Sequence, residues 1–496
     1  MVKFSLTGLI VAAGFMASAQ ITPVVRTELT YERDFQPLGI HNCGEYGIIV
    51  SASLDPKKAE RDPDRLYIMY DTSLIETQSL EVEVPFRQKL VKTYQGPHTL
   101  HTLYYDARFG NGTVMSLTPQ DTFPKKSVLK MPKRILIDEF AVNNNTALFT
   151  ELETRKDVLY QANLKTGAVW EIDLPGTLKR KNLEILDVSA FKDGSGLGVV
   201  IREFNRTVNN TFLMTIDEDG QKEYVLPLKT DDLIIVQAAA DRLSDGRFIV
   251  SGTYSENSTT SAKGMFLAVY DDVEMKFFAT RSFGTFENFF DYMSSHGQQA
   301  IERRKERYEE HGKEMDVTVN MYVHPVLESE NELILLGEVY YPTYRNLSTA
   351  TTYIQGRPST NSVRQFDGYE YTHAAVCKFD LDGHFKGDHC FPIHIWHKPY
   401  ELKNIVNMYA HDTILEMVYM NDNYLQNKAI TPSEEFSETV VLEADSTDQI
   451  RYTVGEVNYW YGNYFIATGF QNIRNTGDIR IRRKRDVFYL QKLEVR

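Results

Sequence analysis

Cysteine is scarce in this chain. Only Cys43, Cys377 and Cys390 occur among 496 residues, too few for a fold stapled by disulfides. Long apolar runs are missing too. After the first twenty residues nothing approaches the roughly 18 apolar positions of a membrane-spanning helix. Positive charge is in deficit, with 54 Lys and Arg against 68 Asp and Glu and a net charge of −14. General nucleic-acid binding works by neutralising phosphates with Lys and Arg, so that class is excluded. Catalytic signatures are absent as well: no nucleophile elbow, no HExxH, no Walker lysine. Gly194-Ser195-Gly196-Leu197-Gly198 lies between two strand-like runs instead of ahead of a helix. It reads as a hairpin, not a phosphate cradle. His384, His389, His394 and His397 carry metal-ligating chemistry, with Asp382, Asp388 and Cys390 nearby. Their spacing matches no metal-site pattern. No metal or cofactor is implied.

The first twenty residues have a different character from the rest. Lys3 precedes a mostly apolar run from Phe4 to Met16, and Ala17-Ser18-Ala19 offers a small-residue cleavage site before Gln20. This predicts a signal peptide over 1–19 and an exported protein, periplasmic or extracellular, with no transmembrane segment.

Two phrases recur in the remainder. One is an apolar strand ending in glycine: Phe248-Ile249-Val250-Ser251-Gly252, Leu333-Ile334-Leu335-Leu336-Gly337 and Phe465-Ile466-Ala467-Thr468-Gly469. Near-continuous apolar character is what a strand buried on both faces needs. The glycine permits close approach of another backbone. The other phrase is a strand, a tight polar turn with glycine, a second strand and a proline, as in Asp217 to Gly220 leading to Pro227. Apolar-Pro endings at Pro85, Pro132, Pro175 and Pro227 recur at roughly 40–55 residues, the period of four-stranded propeller blades. The expected fold is an all-β propeller over 20–496, with seven or eight four-stranded blades. The alternative is two β-sandwich domains. The last segment supplies about three strands, and Val24 to Tyr31 is expected to add the fourth and close the ring.

Two segments break the period. Over 286–314, Phe286, Phe289, Phe290, Met293, Ile301 and Tyr308 recur near helical spacing, predicting one helix, or two broken at Gly297, either on the rim or against a partner. Over 342–371 the chain is rich in Ser, Thr and Gly and holds Tyr344, Arg345, Tyr353, Arg357, Arg364, Asp367, Tyr369 and Tyr371. It reads as a long insertion loop. Tyr and Arg are favoured recognition anchors, so Tyr344, Arg345, Arg357 and Tyr371 are the expected partner contacts. The turn at Asp382-Gly383 places Cys377 opposite Asp388, two residues short of Cys390, so three buried thiols are favoured over a Cys377–Cys390 bridge. Arg482, Arg483 and Arg485 lie in the only dense basic run, either a solvated loop or a contact for an anionic surface.

Phe366-Asp367-Gly368-Tyr369-Glu370-Tyr371-Thr372-His373-Ala374, followed by Phe379-Asp380-Leu381-Asp382-Gly383, resembles a phrase in exported bacterial β-propeller-like proteins of uncharacterised activity. The resemblance covers about 50 residues well. It implies a propeller and export and brings no catalytic residue with it. The reading that results is an exported, non-enzymatic binding or scaffold protein. Its partner would be a protein or glycan of the cell envelope. The alternative is a glycan-acting hydrolase or lyase with its site at the channel mouth, which rests on fold analogy.

Overall fold

A computed structural model describes residues 21–30, 35–54, 64–153, 156–175, 183–205, 208–354, 357–398, 402–411, 413–444, 448–475 and 484–496. The expected signal peptide lies outside them. Among the described residues, no helix is long and apolar enough to cross a membrane.

The Gly-ended phrases become second strands of three sheets, Phe248–Ser255, Glu332–Ile354 and Tyr464–Asn475. Each glycine sits where the inner strand of its own sheet comes close. A Cβ on Gly252 would stand 2.0 Å from the Gln237 carbonyl oxygen, and one on Gly469 would stand 2.2 Å from that of Val454. Alanine at either position forces the two backbones apart. The prolines mark outer strands. Pro227 lies within the outer strand Lys222–Leu228, whose free edge needs no donor.

The strands form eight antiparallel sheets in chain order, at 35–82, 89–130, 137–171, 183–228, 234–282, 320–397, 407–441 and 448–495. These are blades 1 to 8. In each the first strand is innermost, and inner strands of successive blades approach one another. Blade 8 takes its outer strand from the other end of the chain, since Ile21–Thr30 pairs with Lys484–Val495, from Ile21 opposite Val495 to Thr30 opposite Val487. Eight apolar clusters fill the spaces between neighbouring blades. Val250, Phe266 and Tyr270 of blade 5, for example, pack on Val200 and Leu213 of blade 4. Residues of blade 8 (Ile466, Phe488, Leu490) pack on Ile48 and Val50 of blade 1. This closed succession excludes the two-sandwich alternative. Fully burying one such side chain is worth about 1.5–3 kcal/mol, so stability lies between blades more than within them.

The antiparallel order gives the ring two ends. Links from one blade to the next, and loops from second to third strand, lie at what is here termed the upper end. Turns from inner to second strand, and from third to outer, lie at the lower end. The segment 342–371 corrects the expected loop. Glu332–Ile354 and Arg357–Asp380 are two strands in continuous register, ending at Ile354 opposite Arg357. The hairpin rises from the upper end of blade 6.

The helix is also shorter than the apolar spacing predicted. It spans Ser295–Glu309, is capped by Ser294 and buries none of its residues. Phe286 and Phe289, which suggested its buried stripe, instead pack on Phe283 ahead of the helix, Phe286 edge-on at 5.7 Å and Phe289 stacked at 4.8 Å. The cysteines are free and buried, and Cys377 does face Asp388.

Candidate functional site

The hairpin on blade 6 projects from the upper end. The inner strand pairs with it only as far as Tyr340, and the outer strand only as far as Tyr369. Beyond these points its two strands pair with each other alone. Among the described side chains of the stem, Tyr341, Tyr344 and Val363 are 41%, 48% and 54% exposed.

Aromatic rings and guanidinium groups organise its stem. Tyr340 meets Tyr369 edge-on at 5.4 Å, Tyr369 meets Phe366 at 4.9 Å, and Phe366 meets Tyr344 at 5.9 Å. The Arg364 guanidinium lies 4.2 Å over the Tyr344 ring. Trp396, exposed on the neighbouring outer strand, donates from Nε1 to Thr343 Oγ1 at 3.1 Å. The Asp367 carboxylate draws Arg345 to 3.5 Å and Lys398 to 4.0 Å. These contacts hold long side chains in place before any partner arrives, which lowers the entropy lost on binding.

Of the four expected contact residues, Tyr344 and Arg345 stand together on this stem. Arg357 begins the third strand, but its side chain lies outside the described residues. Tyr371 leaves the set. It is fully buried against blade 7, where its hydroxyl donates to the Lys403 carbonyl at 3.0 Å and accepts from the Lys403 N–H at 3.3 Å. The hairpin still lies against the blade at that point, so Tyr371 faces the core. Trp396 was missed because it lies outside the Tyr- and Arg-rich stretch.

The turn ahead of the helix docks on the outside of blade 6. Both Asp388 oxygens accept backbone N–H groups, from Glu287 at 2.8 Å and Asn288 at 2.7 Å. Tyr292 stacks on buried His373 at 4.0 Å. Burial holds the His373 imidazole down to about 3, so it stays neutral. Lys305 reaches back to the Phe286 carbonyl at 2.7 Å. The insertion is thus anchored by its first turn, and the helix is left exposed.

Other expected sites disperse. His389 bonds Glu435 at 2.6 Å, His384 bonds Asp380 at 3.2 Å, and His394 is exposed. Ligand atoms of Asp380, Asp382 and His384 lie within 4.8 Å of one another. Asp380 already accepts the N–H groups of Asp382 and His384, and its other oxygen pairs with Lys386. Local hydrogen bonding of the turn accounts for this cluster. Arg485 pairs with Glu28 at 2.8 Å, while Arg482 and Arg483 lie outside the described residues.

One polar group inside the ring was not foreseen. Asp187, on the inner strand of blade 4, accepts from Ser189 Oγ at 2.8 Å and from the Ala240 N–H at 3.1 Å. Burial, with a smaller contribution from nearby Asp241, pushes its carboxyl up to about 6. Tyr94 reaches past blade 3 to accept the Ala190 N–H at 3.1 Å. Lys192 pairs with Asp241 at 2.9 Å and donates to Val326 of blade 6 at 2.7 Å. A carboxyl held near neutrality is suited to proton transfer. An aspartate in the strand-like run Ile185-Leu186-Asp187-Val188 was the available signal.

No protein-family model matches the chain, and no curated protein matches it. Solved structures similar to it include the polysaccharide lyase Uly1 (TM-score 0.37, 8% identity, covering 85% of this chain and 94% of that one). Another is the propeller domain of the Trilobed protease from Pyrococcus furiosus (TM-score 0.34, 10% identity, 81% and 95%). A third is prolyl oligopeptidase B from Galerina marginata (TM-score 0.37, 8% identity); 90% of this chain aligns with 56% of that protein.

Proposed function

We propose that this chain is an exported, non-enzymatic binding protein. Its partner, a protein or glycan of the cell envelope, docks on the blade 6 hairpin. The observation that carries the reading is the pair of exposed rings, Tyr344 and Trp396, on the hairpin stem and the strand beside it, with half-buried Phe366 against Tyr344, Arg364 over the Tyr344 ring and Arg345 held by Asp367. Aromatic and Arg side chains in a pre-ordered, solvent-facing array are the usual energetic anchors of interfaces. The test is recovery of partners from envelope extract by the wild type and by a Tyr344→Ala/Arg345→Ala variant with an unchanged melting profile. The reading expects a partner retained by the first and lost by the second. Equal recovery of every partner removes the hairpin as the docking site.

A second reading, a glycan-acting hydrolase or lyase, is favoured by the Asp187 group inside the ring. It requires that the wild type cleave a polysaccharide and that Asp187→Asn abolish cleavage without unfolding the protein. Absence of new chain ends after incubation with acidic and neutral polymers removes this reading.

A further inference from the structure

Across the ring from the hairpin, blade 2 carries a different surface at the same upper end. Its frame is the turn at 107–110. The Asp106 carboxylate accepts the Arg108 and Phe109 N–H groups at 2.9 and 3.3 Å. The link from blade 2 to blade 3 clamps this turn through Met131 N–H to Gly110 O at 2.8 Å and Arg134 N–H to Ala107 O at 2.9 Å. On the other side, the link from blade 1 turns at Pro85–Gln88, closed by the Gln88 N–H on the Pro85 carbonyl at 3.0 Å. The Arg87 guanidinium stands 5.0 Å from the Phe86 ring and 5.5 Å from that of Phe109, and Arg108 stands 5.3 Å from Phe109.

Three features point outward from this frame. Phe86 is 76% exposed and Phe109 is 43% exposed, although both could have been polar. Arg87, Arg108, Lys133 and Arg134 are all exposed, and none forms an ion pair with a described residue. In a molecule of net charge −14, these four cations stand together on one surface without an ion-pair partner among the described residues. Arg87 and Arg134 also hold left-handed backbone, at φ 64° and 63°. Glycine fits that conformation without penalty and other residues at a cost of about 1–2 kcal/mol. Both link turns carry arginine there instead.

We infer that this surface binds an anionic polysaccharide, with Phe86 and Phe109 stacking on sugar rings and Arg87, Arg108, Lys133 and Arg134 taking carboxylate groups. Arginine forks match carboxylates in two-point contacts. A flat anionic membrane fits less well, because the blade 6 hairpin projects from the same end and holds a plane away from blade 2. A densely phosphorylated strand meets long-range repulsion from the remaining negative charge. A flexible chain with carboxylates spaced along it meets neither obstacle. The inference does not depend on the hairpin's partner.

The test is the mobility of the purified protein in gels containing polygalacturonate or dextran, with titrations against a single-stranded oligonucleotide and phosphatidylglycerol vesicles. Retardation by polygalacturonate alone is expected, weakening as salt is added. Charge-assisted bonds of this kind are worth about ten-fold in affinity each, so Arg87→Gln/Arg108→Gln is expected to weaken binding about 100-fold. Phe86→Ala should weaken it less, and both variants should melt as the wild type does. Tyr344→Ala should bind as the wild type does. No retardation, full retention in the arginine variant, loss of binding in Tyr344→Ala, or tighter binding of the oligonucleotide or vesicles would each overturn the inference.

Discussion

At the lower end of the ring, side chains reach sideways from blade to blade. Asn42 donates to the Tyr459 carbonyl, Gln95 to that of Asn42 at 2.6 Å, and Trp460 to that of Gly44 at 3.0 Å. Asn143 donates to Gly194 at 3.0 Å, and Ser244 bonds Glu328 at 2.8 Å. At the upper end, the described groups of the hairpin stem and of the blade 2 turn bond within their own blade or to the link that follows it. The same residue types serve both ends. Trp460 is 3% exposed and tied to its neighbour blade, whereas Trp396 is 51% exposed. Side-chain hydrogen bonds at the lower end tie one blade to the next, whereas the bond of Trp396 to Thr343 at the upper end stays within blade 6.

The largest effect expected from disturbing this arrangement comes from the seam. Removing 21–30 strips the outer strand from blade 8 and leaves Lys484–Val495 as a raw edge. A loss of about 5 kcal/mol or more is expected, with concentration-dependent aggregation by light scattering. Near-normal melting would show that lower-end bonds alone suffice to hold the ring. Next, Trp460→Ala should cost about 3–5 kcal/mol in denaturant melts, because a buried indole and its bond to the neighbouring blade are lost together.

Glu416 sharpens the comparison from inside the wall. It is fully buried on blade 7, where Asn427 is the neighbouring polar side chain and no hydrogen bond of ordinary geometry reaches either carboxylate oxygen among the described residues. Burial pushes its carboxyl up to about 7 from an ordinary 4.5. The folded state therefore bears no penalty below about pH 4.5. The penalty grows as pH rises toward 7 and is complete above that. Glu416→Gln should melt like the wild type at pH 4 and be more stable by about 3 kcal/mol at pH 8. An equal difference at both pH values would show that packing, not charge, sets its effect. The smallest expected change is for Tyr344→Ala, within about 0.5 kcal/mol of the wild type. A larger loss would mean that the hairpin, like the lower end, is part of what keeps the ring together.

The ring was legible because burial on both faces leaves a plain mark. Gly252, Gly337 and Gly469 punctuate otherwise apolar strands, and prolines mark the outer-strand ends of five of the eight blades, at Pro85, Pro132, Pro175, Pro227 and Pro392. The closing strand was legible by count, because the last segment held only about three strands and the run from Val24 to Tyr31 could supply the fourth. The hairpin was hidden because its two strands leave the sheet and pair only with each other, so no core face imposes a two-residue alternation of polarity. Its register also shifts between Thr343 and Tyr344 and between Ser348 and Ala350, which breaks any pattern further. Tyr371 looked like its neighbours Tyr344 and Tyr369 because composition carries no information about where a strand leaves its sheet. The Asp187 group depends on contacts among blades 2, 4 and 5, and the blade 2 surface on two links folding over one turn. Neither juxtaposition has a local signature.

The pairing of Ile21–Thr30 with Lys484–Val495 has a consequence for synthesis. The first described strand has no mate until Lys484–Val495 has been made. Until then the growing polypeptide is an open arc with two unsatisfied flanks, and one late pairing closes the circle. Cutting the chain at the exposed turn near Gly462 and linking Ile21 to Val495 through a short connector would move that pairing to another place on the circle without altering the finished ring.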